Sequence, residues 1–302
     1  MVILNLDFLE YYKNAGKIAS RVRENARRKD HRGKTLFEIC ESIEREIREN
    51  GGIPAFPVNT SINEIAAHYT AEPDDQRVVN DGDVLKIDLG VHQQGFIADT
   101  AVTVSYDPNY ESLVQTAENA LSDALRIAKV DTKSSEIGKT IENSIKRSGF
   151  IPIQNLSGHS LEQYTIHAGK SIPNIWTVGS FQLLANHAYA IEPFVTLKNG
   201  AGIVREGSIA NIFAIISRKP TKDKELDDFL NFLWERFKSL PFALRWTTDR
   251  YDEKYSREII EILKKKKNIH SYPILVEGND KIVAQAEHTI IPESKLTNVI
   301  TM

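Results

Sequence analysis

The sequence has very little cysteine, since Cys40 is the only one among 302 residues. This excludes an internal disulfide and a zinc site built from several cysteines. Cys40 lies in the helical pattern of residues 36–40, where we expect a buried, inert thiol rather than a nucleophile. Any metal ion that this chain binds must therefore be held by carboxylates and imidazoles.

The chain also lacks an excess of charge of one sign and any long apolar run. With 38 basic and 41 acidic residues its net charge is -3, which does not indicate DNA or an anionic membrane as a partner. Residues 1–7 lack the features of a signal peptide, and no apolar run approaches the ~20 residues that span a bilayer. The sequence predicts a cytoplasmic protein that binds neither DNA nor membranes.

What is present is a repeated pattern of amphipathic helices, at residues 7–28, 35–50, 110–129 and 134–148. Glu38 and Glu136 are each followed by isoleucine 1, 5 and 9 positions later, glycine 13 positions later and proline 16 positions later. This spacing predicts an internal duplication of a helix–helix–strand unit. Any two amphipathic helices that end in glycine share part of the pattern, so that simpler explanation stays open.

Each predicted half carries carboxylates on strands. A hairpin at residues 83–105 carries Asp88 and Asp99, and a two-residue turn at Gln93 and Gln94 would place them directly opposite each other. A strand at 187–194 carries Glu192, and a strand at 282–290, expected to pair with it, carries Glu287. Helical patterns at about 220–268 interrupt the second half.

We therefore predict an α+β fold in which two similar halves surround one mixed, mainly antiparallel sheet. A helical insertion occupies residues 218–270 of a single catalytic domain spanning 1–302.

Taken one at a time, the two aspartates are most simply read as solvated residues, and His159 as a packed or exposed histidine. Together, however, carboxylates that face each other across a strand pair repel unless a cation lies between them, and a lone glutamate is costly to bury in an apolar strand. An oxygen-rich set with one imidazole suits a pair of Mn, Fe(II), Co or Zn ions. A water shared by such a pair loses its proton near neutral pH and attacks a carbonyl, so the implied reaction is hydrolysis.

The motifs around Asp88, Asp99, His159, Glu192 and Glu287 resemble, in residue type and order, the five ligands of the pita-bread metallopeptidases of family M24. Segments 54–70, 164–170 and 240–246 are similar to type 2 methionine aminopeptidases, as is the helical insertion, and the likeness covers residues 5–302. The resemblance implies a pita-bread fold and a monomer that removes the initiator methionine from nascent proteins with two divalent metal ions.

The same resemblance implies roles for four further residues. His68 would assist proton transfer, His167 would bind the carbonyl or the developing oxyanion, and Phe56 and Ile166 would line the pocket for methionine. Eukaryotic members have a histidine in the strand that aligns with residues 209–215, and this chain has none there. They also carry long charged extensions before the catalytic domain. This chain, by contrast, is expected to start at the catalytic domain itself.

Two other functions stay open from the sequence. An X-Pro aminopeptidase or prolidase shares the fold and ligands but has an additional N-terminal domain, whereas here the helical repeat fills the segment before Asp88. A non-enzymatic ribosome- or RNA-binding relative would have lost the ligands, and all five are present. One basic run, Lys264, Lys265, Lys266 and Lys267, is either a solvated helix end or a transient contact with ribosomal RNA.

Overall fold

The computed structural model describes residues 7–295 and 297–302. Within these residues the α-helices are Asp7–Arg28 (α1), Leu36–Glu49 (α2), Glu111–Ile127 (α3), Ser134–Arg147 (α4), Lys224–Phe237 (α5) and Glu253–Lys265 (α6). The strands are Ile53–Pro54 (β1), Asn59–Ile62 (β2), Ile65–Ala67 (β3), Val84–Gln93 (β4), Phe96–Ser105 (β5), Ile151–Pro152 (β6), Ser157–Leu161 (β7), Ser171–Pro173 (β8), Ala188–Ile191 (β9), Phe194–Thr196 (β10), Val204–Glu206 (β11), Ile212–Ile215 (β12), Phe242–Ala243 (β13), Ile269–Tyr272 (β14), Leu275–Glu277 (β15), Val283–Gln285 (β16), Glu287–Pro292 (β17) and Thr297–Val299 (β18).

The first four helices form close to where their periodicity predicts them. Thr35 caps α2 because its hydroxyl accepts a hydrogen bond from the backbone of Glu38 (3.1 Å), whose carboxylate accepts one from the backbone of Thr35 (2.8 Å). Isoleucines 39, 43 and 47 of α2 are buried in one apolar core, and isoleucines 137, 141 and 145 of α4 are buried in a second. Both sets of isoleucines therefore face an apolar core, which a duplication and the shared pattern of amphipathic helices predict equally, so the duplication stays a prediction.

A sheet of nine strands joins the two halves. Its order is β1-β4-β5-β17-β9-β7-β8, with β2 also paired to β4 and β18 to β17. Strand β17 pairs antiparallel with β5 on one side and with β9 on the other. The last long strand of the described chain is thus the seam between the halves, and it brings Glu287 beside residues from both.

The predicted register of the β4–β5 hairpin is wrong by two positions. Gln93 pairs with Phe96, so the turn consists of Gln94 and Gly95, whose φ angles are 52° and 85°. Tight hairpin turns of this kind require positive φ at both central residues, which glycine adopts without steric cost. As a result Asp99 lies opposite Gly90 rather than opposite Asp88. The two aspartates are diagonal neighbours on the same face.

The predicted strands at 187–194 and 282–290 are each divided in two. The first is interrupted after Ile191 by Glu192 and Pro193, and the second is interrupted at Ala286. Strands β9 and β17 stay in the central sheet, whereas β10 and β16 pair in a separate three-stranded sheet with β6. Proline has no N–H for a strand ladder, which accounts for the first break. Glu192 and Glu287 therefore lie where strands leave the central sheet.

The segment between β12 and β15 contains α5 and α6, as expected, but it is not wholly helical. Strands β13 and β14 pair on either side of β12, and a 3-10 helix occupies Leu244–Thr247. Its own apolar core is built mainly from aromatic and aliphatic side chains of α5 and α6. Its limits at 218–270 as a separate unit stay a prediction. Among the described helices, none combines the length and apolar character needed to cross a bilayer.

Candidate metal centre and cleft

One cleft of about 530 Å³ collects all nine residues for which the sequence suggested a role in metal binding, proton transfer or substrate binding. It is lined by Phe56, His68, Asp88, Asp99, His159, Ile166, His167, Glu192 and Glu287. The aspartates come from the β4–β5 hairpin, His159 from β7, and the glutamates from the strand breaks after β9 and before β17. Asp88 and Glu287, which are 199 positions apart in the chain, thus share one space.

Three of the five candidate ligands, Asp99, His159 and Glu287, offer donor atoms close enough to share one ion, and Glu192 lies beside His159. Nε2 of His159 is 3.8 Å from Oδ2 of Asp99 and 3.4 Å from Oε1 of Glu192. One donor atom each from Asp99, His159 and Glu287 lie within 4.8 Å of one another. These distances are suitable for carboxylate and imidazole groups that surround a divalent cation.

Threonine side chains on the two neighbouring strands hold the backbone of the ligand positions. The hydroxyl of Thr289 accepts from the backbone N–H of Asp99 (2.7 Å) and donates to its carbonyl (2.8 Å). The hydroxyl of Thr100 donates to the carbonyl of Glu287 (2.7 Å). Thr100, next to Asp99, thus holds the backbone of Glu287, and Thr289, two residues after Glu287, holds the backbone of Asp99. These links fix the relative position of Asp99 and Glu287 before any ion binds.

The electrostatics of the cleft favour a cation. Burial, the largest cause, raises the pKa of Asp88 to about 7, and it raises the pKa values of Asp99, Glu192 and Glu287 well above their ordinary range, with added repulsion from neighbouring carboxylates. Oδ1 of Asp88 and Oδ1 of Asp99 are buried without a hydrogen-bond partner among the described residues. Buried, unpaired acceptor oxygens are costly. The donor set therefore fits divalent metal ions.

His68 and His167 lie beside this centre. His68 has a φ of 64°, a conformation that residues other than glycine rarely adopt, and its Nδ1 is 3.3 Å from the carbonyl oxygen of Pro273. Burial lowers the pKa of His68 to about 4. His167 is more exposed, and its ring packs edge-on against that of His159 with centroids 4.5 Å apart. Partial desolvation lowers the pKa of His167 as well, so both imidazoles are neutral at neutral pH.

The cleft also contains residues that the sequence analysis missed. They are Asn59, Ala67, Ile212, Pro241 and Tyr272. Asn59 and Ala67 lie inside segment 54–70, and Pro241 lies inside segment 240–246, so the motifs in these segments could have identified all three. Ile212 is paired with Tyr272 across strands β12 and β14. Ile212 lies in the strand where eukaryotic relatives have a histidine, whereas Tyr272 follows the insertion and belongs to no motif that would have identified it.

A second cavity, of about 820 Å³, adjoins the first. The two share Ala67, His68, His159, His167 and Glu192. Beyond these residues the second cavity is lined both by polar groups, such as Ser157 and Lys170, and by apolar side chains, such as Leu156 and Phe194. The cleft therefore has a narrow end near Phe56 and a wider end with a mixed polar and apolar lining.

Comparison with known proteins shows what this chain is similar to. Residues 10–212 match the model of metallopeptidase family M24. The chain is 43% identical to a methionine aminopeptidase of Pyrococcus horikoshii over 288 residues, which cover 95% of this chain and 97% of that protein. It is 40% identical to a methionine aminopeptidase of Methanocaldococcus jannaschii over 288 residues, with 95% and 96% covered.

Solved structures with low identity share the fold. A thermophilic Arx1 superposes with a TM-score of 0.82 at 16% identity, covering 98% of this chain and 91% of that one. A methionine aminopeptidase from Thermotoga maritima superposes with a TM-score of 0.71 at 20% identity, covering 99% and 98%.

Proposed function

This chain belongs to metallopeptidase family M24, and we propose that it removes the N-terminal methionine of nascent proteins with two divalent metal ions held by Asp88, Asp99, His159, Glu192 and Glu287. The observation that carries the proposal is the convergence of four carboxylates and one imidazole in a single buried cleft, with acceptor oxygens left unpaired. Relatives named methionine aminopeptidase match nearly the whole chain at 38–43% identity.

The carboxylates supply the negative charge that a pair of divalent ions requires, and His159 completes the donor set with a neutral nitrogen. Bound divalent ions lower the pKa of a water molecule and polarise a carbonyl, which is the chemistry that amide hydrolysis needs. The protein contributes the fixed arrangement of the ligands. The threonine links behind Asp99 and Glu287 keep these two side chains in place.

His68 is suited to hold or move a proton beside the scissile amide. Donation from its Nδ1 to the carbonyl of Pro273 leaves Nε2 as an acceptor, and the lowered pKa keeps the ring neutral. His167 is suited to donate a hydrogen bond to the substrate's carbonyl oxygen as negative charge develops there. In both roles the imidazole acts on the substrate from its place beside the candidate metal centre, and neither His68 nor His167 is assigned as a metal ligand.

The shape of the cleft supports methionine as the first residue of the substrate. Phe56, Ile166 and Ile212 provide apolar walls, and a long, unbranched thioether can follow a narrow apolar slot. A leucine branch needs more width, and a lysine would leave its charge unpaired. The wider cavity next to the candidate metal centre, with its mixed polar and apolar lining, offers the rest of the polypeptide a path outwards.

Peptide kinetics test this specificity directly. We expect higher kcat/KM for Met-Gly-Met than for Leu-Gly-Met or Lys-Gly-Met, and within the Met-X-Met series a preference for small X such as glycine, alanine or serine. Equal rates on the first three peptides would contradict the methionine assignment and leave the metallopeptidase one intact. Preferential cleavage before proline would move the chain to the X-Pro aminopeptidase and prolidase group.

The number and kind of metal ions need a separate test. Metal-free protein should be titrated with Mn, Co, Fe(II) and Zn in turn, with binding followed by calorimetry and activity followed on Met-Gly-Met. We expect two ions per chain at saturation. A stoichiometry of one at full activity would contradict the two-ion proposal.

We also propose that the protein acts in the cytoplasm as a monomer and contacts the ribosome transiently through a basic surface. This surface consists of Lys264, Lys265, Lys266, Lys267, Arg218, Lys219 and Lys222. The end of α6 and the 216–222 loop lie together because Asn268 donates to the carbonyls of Ser217 (3.1 Å) and Lys219 (2.9 Å). Clustered lysines attract a polyanion such as RNA despite the net negative charge of the chain.

A further inference from the structure

A buried ion pair outside the metal centre connects the helical insertion to α2. Glu44 lies on α2 and is 0% exposed, and Arg245 lies on the 3-10 helix Leu244–Thr247 and is 7% exposed. Nη2 of Arg245 donates to Oε1 of Glu44. The indole N–H of Trp246 donates to the other carboxylate oxygen of Glu44 at 2.6 Å. The insertion is thus joined to the first half of the molecule by charged and hydrogen-bonded contacts.

The same pair also holds two backbone segments, 56–60 and 67–71. Glu44 accepts from the backbone N–H of Val58 (3.1 Å), and Arg245 donates to the hydroxyl of Thr70 (2.9 Å) and to the carbonyl of Ala71 (2.9 Å). Thr70 in turn donates to the carbonyl of Val58 (2.8 Å). The contacts form a closed ring that runs from Val58 through Thr70, Arg245 and Glu44 back to Val58.

These two segments form part of the cleft wall. The first carries Phe56 and Asn59, and the second carries Ala67 and His68. The segments are joined again where the N–H of Thr60 donates to the carbonyl of Tyr69 (2.8 Å). His68 needs such support because its left-handed backbone conformation is unfavourable for a residue with a side chain.

Stability alone is a weak explanation for the pair. Burying two charges costs desolvation energy that their attraction only partly returns, and apolar side chains of similar volume often do as well. In this molecule the carboxylate and the guanidinium both contact backbone groups next to cleft residues. A charged pair of fixed geometry sets those positions more narrowly than apolar packing does.

We propose that Glu44 and Arg245 are a positioning pair, through which the helical insertion sets the distance between Phe56, on the wall of the methionine slot, and His68. The inference rests on the proposed aminopeptidase function for its kinetic consequences. Neither residue lines the cleft, so their effect should fall on turnover and on selectivity for methionine and leave metal binding unchanged.

The variants that test this are Glu44→Gln, Thr70→Val and Thr70→Ser, with Asn268→Ala as control. Valine has nearly the same shape as threonine, so Thr70→Val removes only the hydroxyl that links Arg245 to Val58 and leaves the ion pair in place. Thr70→Ser keeps this hydroxyl. Asn268→Ala removes two hydrogen bonds inside the insertion, away from the cleft wall. Each variant is measured with its metal loaded, below its own melting temperature.

For Thr70→Val and Glu44→Gln we expect kcat on Met-Gly-Met to fall by about 10-fold or more with unchanged metal content, and the preference for methionine over leucine to fall. Thr70→Ser should stay within about twofold of the wild-type protein, and Asn268→Ala should lower the melting temperature only. Amide hydrogen exchange in segments 56–60 and 67–71 should rise in the first two variants and not in the control.

The inference is overturned if Thr70→Val behaves like Asn268→Ala, with lower stability but unchanged exchange in both segments and unchanged selectivity. Thr70→Val decides the matter alone if Glu44→Gln does not fold. Hydrogen exchange does not depend on activity. A wild-type protein that fails to cleave Met-Gly-Met would therefore refute the proposed function, and the exchange data would still decide whether the pair holds the two segments.

Discussion

Gly90 supports the ring of Phe56 so closely that a methyl group on its α-carbon would lie 2.2 Å from Cε1 of that ring. Gly90 is also the residue directly opposite Asp99 in the β4–β5 ladder. A wall of the proposed methionine slot therefore packs on the strand pair that carries two of the proposed ligands. The slot and the candidate metal centre are thus built on the same backbone, and a small change at Gly90 should affect the first without the second.

We predict that Gly90→Ala lowers kcat/KM for Met-Gly-Met by about 100-fold, because the added methyl group displaces Phe56 into the slot. Metal content should stay at the wild-type level. A suitable control is Gly278→Ala, which is also crowded, with its added carbon 2.7 Å from Cβ of Ala201, but which does not line the cleft. Unchanged kinetics in Gly90→Ala would show that Phe56 does not bound the substrate pocket.

A second prediction concerns the cost of the clustered carboxylates. Asp99→Asn removes one of four clustered acidic groups whose proximity and burial raise their pKa values, so the metal-free variant should be at least as stable as the metal-free wild-type protein. Added divalent metal should raise the melting temperature of the wild-type protein and have little effect on the variant, which should also be inactive. Thermal unfolding with and without a chelator measures both. Full activity in Asp99→Asn would remove this residue from the ligand set.

His68→Ala should lower kcat by about 100-fold and leave the metal content unchanged, because we assign His68 to proton transfer or substrate positioning rather than to metal binding. His187 is exposed, with its Nδ1 3.0 Å from the carbonyl oxygen of Ala185, and it does not line the cleft, so His187→Ala is the matched control. Steady-state kinetics and metal analysis on the same samples separate the two roles. A parallel loss of metal in His68→Ala would make His68 a ligand.

The fourth prediction concerns ribosome binding by the basic surface at the end of α6. Lys265→Glu combined with Lys267→Glu should weaken binding to purified ribosomes and reduce the salt dependence of that binding, while activity on Met-Gly-Met stays unchanged. Lys17 on α1 and Lys139 on α4 are exposed lysines outside this surface, and a variant that combines Lys17→Glu with Lys139→Glu is the control with the same change in net charge. Co-sedimentation at several salt concentrations measures the effect. Equal binding by all three proteins would remove the basic surface from ribosome contact.

Much of this molecule could be predicted from its sequence, because much of it depends on neighbouring residues. The capping box of Thr35 and Glu38 and the isoleucine spacing of α2 and α4 act within one or two helical turns, and these helices form where expected. Nine residues singled out by motif or residue type line one cleft. Their assignment as ligands and substrate contacts is our proposal.

The tertiary structure decided what depends on distant partners. Placing the turn at Gln94 and Gly95 moved Asp99 opposite Gly90, and the breaks at Pro193 and Ala286 put two glutamates at strand ends. Tyr272 enters the cleft only because β14 pairs with β12, and Glu44 meets Arg245 across 201 positions of the chain. Local sequence determines helices and turns because their hydrogen bonds close over a few residues. Such long-range pairings depend on how the whole chain packs, so a sequence pattern alone does not contain them.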